Sequence, residues 1–197
     1  MMDPGRDLVV RVARPADAAA VGASLRAAYS ALLAGAYDAA LLERALPWMA
    51  EPNPKLLRCG TWYVAERAES PWRLVGCGGW TLARPGDGTG EPDPTVGHLR
   101  HFATHSDCAR RGICRAVFAH CLTDGLAAGV QVFEWQSTLA AERFYRALGF
   151  ELLGPTTALL GGRLAFPGLR LRRHLAEAAC PQPDAEPTPT TSCRDPG

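Results

Sequence analysis

Three arginines and a glycine crowd into the stretch Cys108-Ala109-Arg110-Arg111-Gly112-Ile113-Cys114-Arg115, and their setting gives them a chemistry. The residues before it, 96–104, read as an apolar strand; those after it, 113–128, repeat apolar side chains at helical spacing. A strand, a short basic loop and a helix start together make an anion site. Backbone N–H groups of the first helical turn lack intrahelical acceptors, and the macrodipole adds partial positive charge there. Gly112 lets a ligand approach the main chain closely, while Arg110, Arg111 and Arg115 supply full charges. These residues point to a phosphate-bearing ligand.

A later helical segment carries Phe144-Tyr145-Arg146-Ala147-Leu148-Gly149-Phe150. Its periodicity alone reads Tyr145 as a core residue with its hydroxyl at the edge. In order and separation, however, this segment and the basic loop resemble the GCN5-related N-acetyltransferase (GNAT) superfamily over roughly residues 9–174. The resemblance implies that the loop, Arg/Gln-x-x-Gly-x-Gly/Ala in relatives, binds the pyrophosphate of acetyl-CoA as co-substrate, with no metal. It implies that Tyr145 protonates the leaving thiolate, and that the backbone of Phe102, Ala103 and Thr104 lies along the pantetheine arm. One of those N–H groups would polarise the acetyl carbonyl. Arg110, Arg111, Gly112, Ile113, Cys114 and Arg115 would hold the cofactor in the loop. Thr138 stands seven residues before Tyr145, where relatives often have a cofactor-contacting asparagine. The implied activity is direct transfer of an acetyl group, in a ternary complex, to a primary amine of a small molecule or peptide.

Two loop positions depart from the family pattern. Ala109 stands where Arg or Gln is usual, and Cys114 where the last Gly or Ala is usual. Arg110 and Arg111 compensate Ala109 in charge, and Cys114 is small enough to keep the approach open. These departures, with Thr138, keep a second reading in view: a CoA-binding sensor or regulatory domain with weak catalysis. A third is a dimeric interaction module, and a homodimer is expected by analogy with relatives.

A general base is sought in His98 and His101 on the strand 96–104, and in Glu134 on the next strand. Alternation places His98, Arg100 and Phe102 on one face, and Leu99, His101 and Ala103 on the other. Glu134 faces away from Phe133 and Trp135. Proton removal through water, without a dedicated base, is the alternative that relatives supply. Tyr29, Tyr37, Trp48, Trp62 and Trp80 are available either to line an acceptor pocket or to fill the core. An acidic cluster suited to a polycationic acceptor is not apparent.

The elements that must position these groups follow from pattern. Strands are expected over 8–13, 61–66, 73–82, 96–104, 130–135, 150–153 and 164–172, with a partial strand near 157–160. Helices are expected over 18–34, 38–46, 113–128 and 139–148, with Pro47 ending the second and Gly149 the last. The order β-α-α-β-β-β-α-β-α-β-β makes a mixed α/β (α+β) domain around one twisted, partly antiparallel sheet. The resemblance adds a V-shaped opening between the fourth and fifth strands. A turn near Ser70-Pro71 and a loop over 84–94 are read from Gly, Pro and Asp.

Composition sets the outer limits. The chain has 197 residues, 47% of them hydrophobic, and a formal net charge of +1, which gives no electrostatic reason to expect nucleic acid. No apolar run reaches the ~20 residues of a membrane span, and the N-terminus lacks the apolar core of a signal peptide, so a cytoplasmic protein is expected. Seven cysteines without a Cys-x-x-Cys pair read as reduced thiols, with Cys77 a small strand residue and Cys121 on a buried helix face. The domain is expected over 1–176, followed by a disordered Pro-rich tail over 177–197.

Overall fold

Each predicted strand has side chains for both faces of a sheet, and each long helix has one apolar face; the fold covers these surfaces pairwise. The computed structural model describes residues 8–68, 73–85 and 91–175. The strands are β1 (Leu8–Val12), β2 (Trp62–Arg67), β3 (Leu74–Thr81), β4 (Val96–Thr104), β5 (Val132–Ser137), β6 (Glu151–Leu160) and β7 (Leu164–His174). They form one sheet of order β1-β2-β3-β4-β5-β7-β6, parallel only between β4 and β5. The expected tail and the Ser70-Pro71 turn lie outside the described residues, as does part of the loop over 84–94. No helix among the described residues is long and apolar enough to cross a membrane.

Helices α1 (Ala18–Leu32) and α2 (Ala39–Met49) cover one face, and α3 (Ile113–Ala127) and α4 (Glu142–Arg146) the other. Strand β2 shows the division: Trp62 and Val64 join the α1–α2 core, Tyr63 and Ala65 the α3–α4 core. Cys77 is buried in the first core and Cys121 in the second.

Four local expectations are corrected. Helix α2 runs through Pro47 to Met49 because the burial of Met49 and Ala50 offsets the one hydrogen bond that proline removes. Helical spacing puts Leu32 on the apolar face of α1 with Leu25 and Tyr29, but the buried leucine near its C-terminus is Leu33, the cap residue, and Leu32 is exposed. Strand β5 begins at Val132 because Val130 and Gln131 are drawn into other bonds, to Gly125 and Thr95 carbonyls. Strand β6 is continuous from Glu151 to Leu160 despite Pro155, since it is the edge of the sheet and only β7 needs its hydrogen-bonding groups.

The α3 start is seated on β3. A Cβ at Gly76 would lie 2.5 Å from Ile113 Cγ2 and 3.2 Å from the Ala103 carbonyl oxygen, so glycine is what lets the helix sit this close. Gly76→Ala should therefore cost about 1–3 kcal/mol through overpacking, read as a lower urea midpoint at unchanged slope. Combined with Ile113→Ala, which removes the opposing methyl, the loss should be less than the sum of the two single losses. Strict additivity would show that this contact does not set the helix position.

Candidate functional site

The site begins where two strands part. Strands β4 and β5 are paired only at Val96–Val132, Gly97–Phe133 and His98–Glu134. Beyond His98, β5 remains paired with β7 as far as Ser137, while β4 stays with β3, so the β5-facing edge of 99–104 has no strand partner. The divergence coincides with a bulge. His101 and Phe102 together oppose Gly78, and His101 has φ of 46°. Strict alternation along β4 therefore fails: Leu99 and Phe102 share the α3–α4 face, and Ala103 lies on the opposite one.

The basic loop follows β4. A short 3-10 turn (Ser106–Cys108) leads to Arg110 at φ 60° and to Gly112 at φ 77°, the N-cap of α3. Arg110 holds a left-handed conformation that costs a non-glycine residue about 1–2 kcal/mol, so strain is concentrated at the loop and at the His101 bulge. A Cβ at Gly112 would meet nothing within 4 Å, so only its backbone conformation calls for glycine. Arg110, Arg111 and Arg115 are exposed and form no ion pair among the described residues.

A cavity of about 520 Å³ joins this loop to the Phe144-Tyr145 segment. Its wall includes Phe102, Ala103 and Thr104 of β4, Arg110, Gly112, Ile113, Cys114 and Arg115 of the loop and helix, and Thr138 and Tyr145. Arg111 does not line it. Sequence reasoning gave Phe144 no site role; it closes the same wall together with Tyr29, one of the aromatics considered for the acceptor.

Tyr145 is 2% exposed and lies among the rings of Phe102, Trp135, Phe144 and Phe150. Its hydroxyl has no hydrogen-bond partner among the described residues. Burial, reinforced by Cys114, Tyr29 and Cys121, holds it well above the ordinary phenol range, so it keeps its proton at neutral pH. Cys114 exchanges a hydrogen bond with Thr104 (Sγ to Oγ1, 2.9 Å), and burial pushes its thiol up to about 11. It is a protonated small side chain rather than a thiolate.

The base candidates lie apart from this cavity. Burial, followed by the charge of Arg100, lowers His101 to about 4, which makes it a neutral and weak base. It lines a neighbouring, mainly apolar cavity of about 190 Å³ with Trp48, Leu99, Trp135 and Phe166. Glu134 faces a third cavity, and its Oε1 accepts from Arg172 Nη2 at 2.6 Å and Nε at 3.2 Å. His98 faces Glu134 across β4–β5, and burial lowers it despite that carboxylate. Of the five aromatics considered for the acceptor, Tyr29 and Trp48 line the 190 Å³ cavity, whereas Trp62 and Trp80 are core. Tyr37 is a clamp: its hydroxyl donates to the Pro167 carbonyl (2.9 Å) and accepts from Leu139 N–H (2.7 Å).

The arrangement is thus a basic loop at a helix start, an unpaired strand edge, and a protonated phenol, all on one cavity. A profile of the acetyltransferase (GNAT) family matches residues 28–150. Among solved structures, a GCN5-related N-acetyltransferase from Rhodopseudomonas palustris superposes with a TM-score of 0.67 at 16% identity, covering 89% of this chain and 99% of that one. An acetyltransferase from Salmonella typhimurium, solved with its cofactor acetyl-CoA, gives 0.56 at 19% identity, covering 89% and 98%. A Mycobacterium tuberculosis protein, Rv2747, solved with CoA and NLQ, gives 0.56 at 18% identity, covering 85% and 99%. No curated protein sequence matches this chain at a significant level. The family profile spans more than half of the chain and contains both the loop and the tyrosine, and this protein belongs to the GNAT acetyltransferase family.

Proposed function

We propose that this protein is an N-acetyltransferase that moves an acetyl group directly from acetyl-CoA to a primary amine while both are bound. The observation that carries the reading is the single 520 Å³ cavity shared by the loop and Tyr145, bordered by the unpaired edge of β4. The residues present suit the co-substrate. Arg110 and Arg115, free of ion pairs, and the first N–H groups of α3 suit a pyrophosphate. The edge of 99–104 offers main-chain donors and acceptors to an arm that lies like an added strand. Acetyl-CoA supplies an activated acyl group.

The protein's own contribution is positioning, polarisation and proton delivery. An N–H on the open edge of β4 polarises the acyl carbonyl. Tyr145 holds a proton at Oη for the departing sulfur, and its raised pKa keeps that proton in place across the neutral range. Arg172 occupies Glu134, and His101 is a weak base, so the amine proton leaves through water. Thr138, at the junction of the 520 and 190 Å³ cavities, marks where donor and acceptor meet.

Acetyl-CoA at about a hundred times its Kd should raise stability by about 2.7 kcal/mol, read as a higher Tm. No shift at millimolar acetyl-CoA would exclude the reading. Arg110→Ala combined with Arg115→Ala should weaken acetyl-CoA about tenfold or more, and a phosphate-free pantetheine fragment much less. Equal losses would remove the pyrophosphate role. With a turned-over amine in hand, Tyr145→Phe should lower kcat by about 10²-fold or more and leave acetyl-CoA affinity nearly intact. Unchanged kcat would reject Tyr145 as the acid.

A further inference from the structure

Three cavities adjoin along the parted strands, and their linings change character in order. The 520 Å³ cavity shares Tyr29 and Thr138 with the 190 Å³ cavity. That middle compartment is walled by Trp48, Met49, Leu99, Leu160 and Phe166. It shares Pro85, Trp135, Gln136 and Thr156 with a third compartment of about 440 Å³. The third is lined by Arg84, Arg170 and Arg172, with Glu134 as its single carboxylate among the described residues. From the thioester end outward, the sequence is therefore phenol and hydroxyl, then apolar walls, then guanidinium groups.

The strand register explains how the arginines come together. On β7, Arg170 and Arg172 alternate with Leu169 and Leu171, so both face away from the α3–α4 core. Arg172 is paired across to Glu134, and Arg170 to Gln136, which is neutral. Gln136 lies two residues beyond the last β4–β5 pair, so Arg170 stands at the opening itself. Arg170 is exposed and has no ion pair among the described residues. Burial lowers His98 beside them, so it favours the neutral form and adds little positive charge. With Arg172 neutralised by Glu134 and Arg84 within range of the Asp93 carboxylate, Arg170 is the arginine of the compartment left without a countercharge among the described residues.

We infer that the acceptor is an amine with an apolar body and an anionic group at its far end, a carboxylate or phosphate bound by Arg170 and Arg84. This rests on the acetyl-transfer reading, and it narrows the substrate class. A cationic or polyamine acceptor would meet like charge in the outer compartment. The amine end would reach the junction at Tyr29 and Thr138, and the body would fill the middle compartment.

The test uses matched pairs with the full-length protein and acetyl-CoA: benzylamine against its para-carboxylate and para-phosphonate, and hexylamine against its ω-carboxylate. Thiol release should favour an anionic member of a pair by about tenfold or more in kcat/KM, the scale of one charge-assisted hydrogen bond. Arg170→Ala should shrink that ratio toward unity, and Arg170→Lys should restore part of it. Equal kcat/KM within every pair, or a ratio unmoved by Arg170→Ala, overturns the inference. If no amine releases thiol, calorimetry with the same pairs separates the two claims. Tighter binding of an anionic member, lost in Arg170→Ala, upholds the anion site and refutes transfer; equal binding overturns both.

Discussion

The parting of β4 from β5 after three residue pairs is the constraint on which the rest of this molecule turns. A parallel pair in the middle of a sheet normally continues, because each abandoned N–H and C=O must find another partner. Here two features force the separation. Phe133 is fixed beneath Gly97 and Gly125, where a Cβ on either glycine would lie within 2.6 Å of its ring, so β5 is held close to α3 at one end. At the other end β5 follows β7 for six residues, while the His101 bulge keeps β4 on β3. What opens between them is a slot with main-chain groups on one wall and side chains on the other. An extended acyl carrier is the kind of ligand such a slot completes, because its amides can take up the bonds that the fifth strand leaves unmade.

The second requirement is that the helix dipole arrive at one end of that slot. Ile113 resting on Gly76 meets it by bringing the first turn of α3 against the sheet, beside the last residues of β4. The loop that connects them is then short enough to need two left-handed residues, Arg110 and Gly112. Glycine adopts this conformation at little cost, whereas arginine does not. The strain at Arg110 is matched by strain at His101, and both flank the same cavity system. Packing elsewhere stabilises these two conformations, as expected where geometry serves a ligand rather than the core.

Much of this was legible from sequence because the chemistry depends on residue type. The glycine and arginines of the loop, the apolar period of α3, and the Phe144-Tyr145 segment each advertise a local requirement. The β4 bulge was not legible. His101 is an ordinary strand residue by propensity, and only the register against Gly78 shows that two residues oppose one. Alternation therefore put His101 and Ala103 on the face of Leu99, which Phe102 shares instead. Pro47 misled for the opposite reason: a local rule against proline was overridden by burial at the end of α2. The arginines of β7 were readable as an alternating pattern, but their meaning depended on which strand would lie opposite them. That is a property of the β5–β7 pairing and not of either segment.

The same physics sorts the titratable groups around the slot. Burial destabilises whichever form is charged, so it raises Tyr145 and Cys114 and lowers His101 and His98. All four are thereby driven to neutrality, leaving a site that holds protons on oxygen and sulfur and declines them on imidazole. Such a site keeps a proton in place at Tyr145 Oη and is poorly suited to capturing one from an ammonium ion. In the proposed transfer, the amine would therefore arrive deprotonated or lose its proton to solvent. The compartments support that route: among the described residues, the carboxylate lining the arginine-lined cavity is held by Arg172, so it is not free to stabilise the ammonium form. An electropositive outer compartment lowers the pKa of a bound amine instead, and an anionic group on the acceptor would be the part that the arginines retain. In that proposal, selectivity and proton removal would stem from one charge distribution, set by which side chains β7 presents where β4 has turned away.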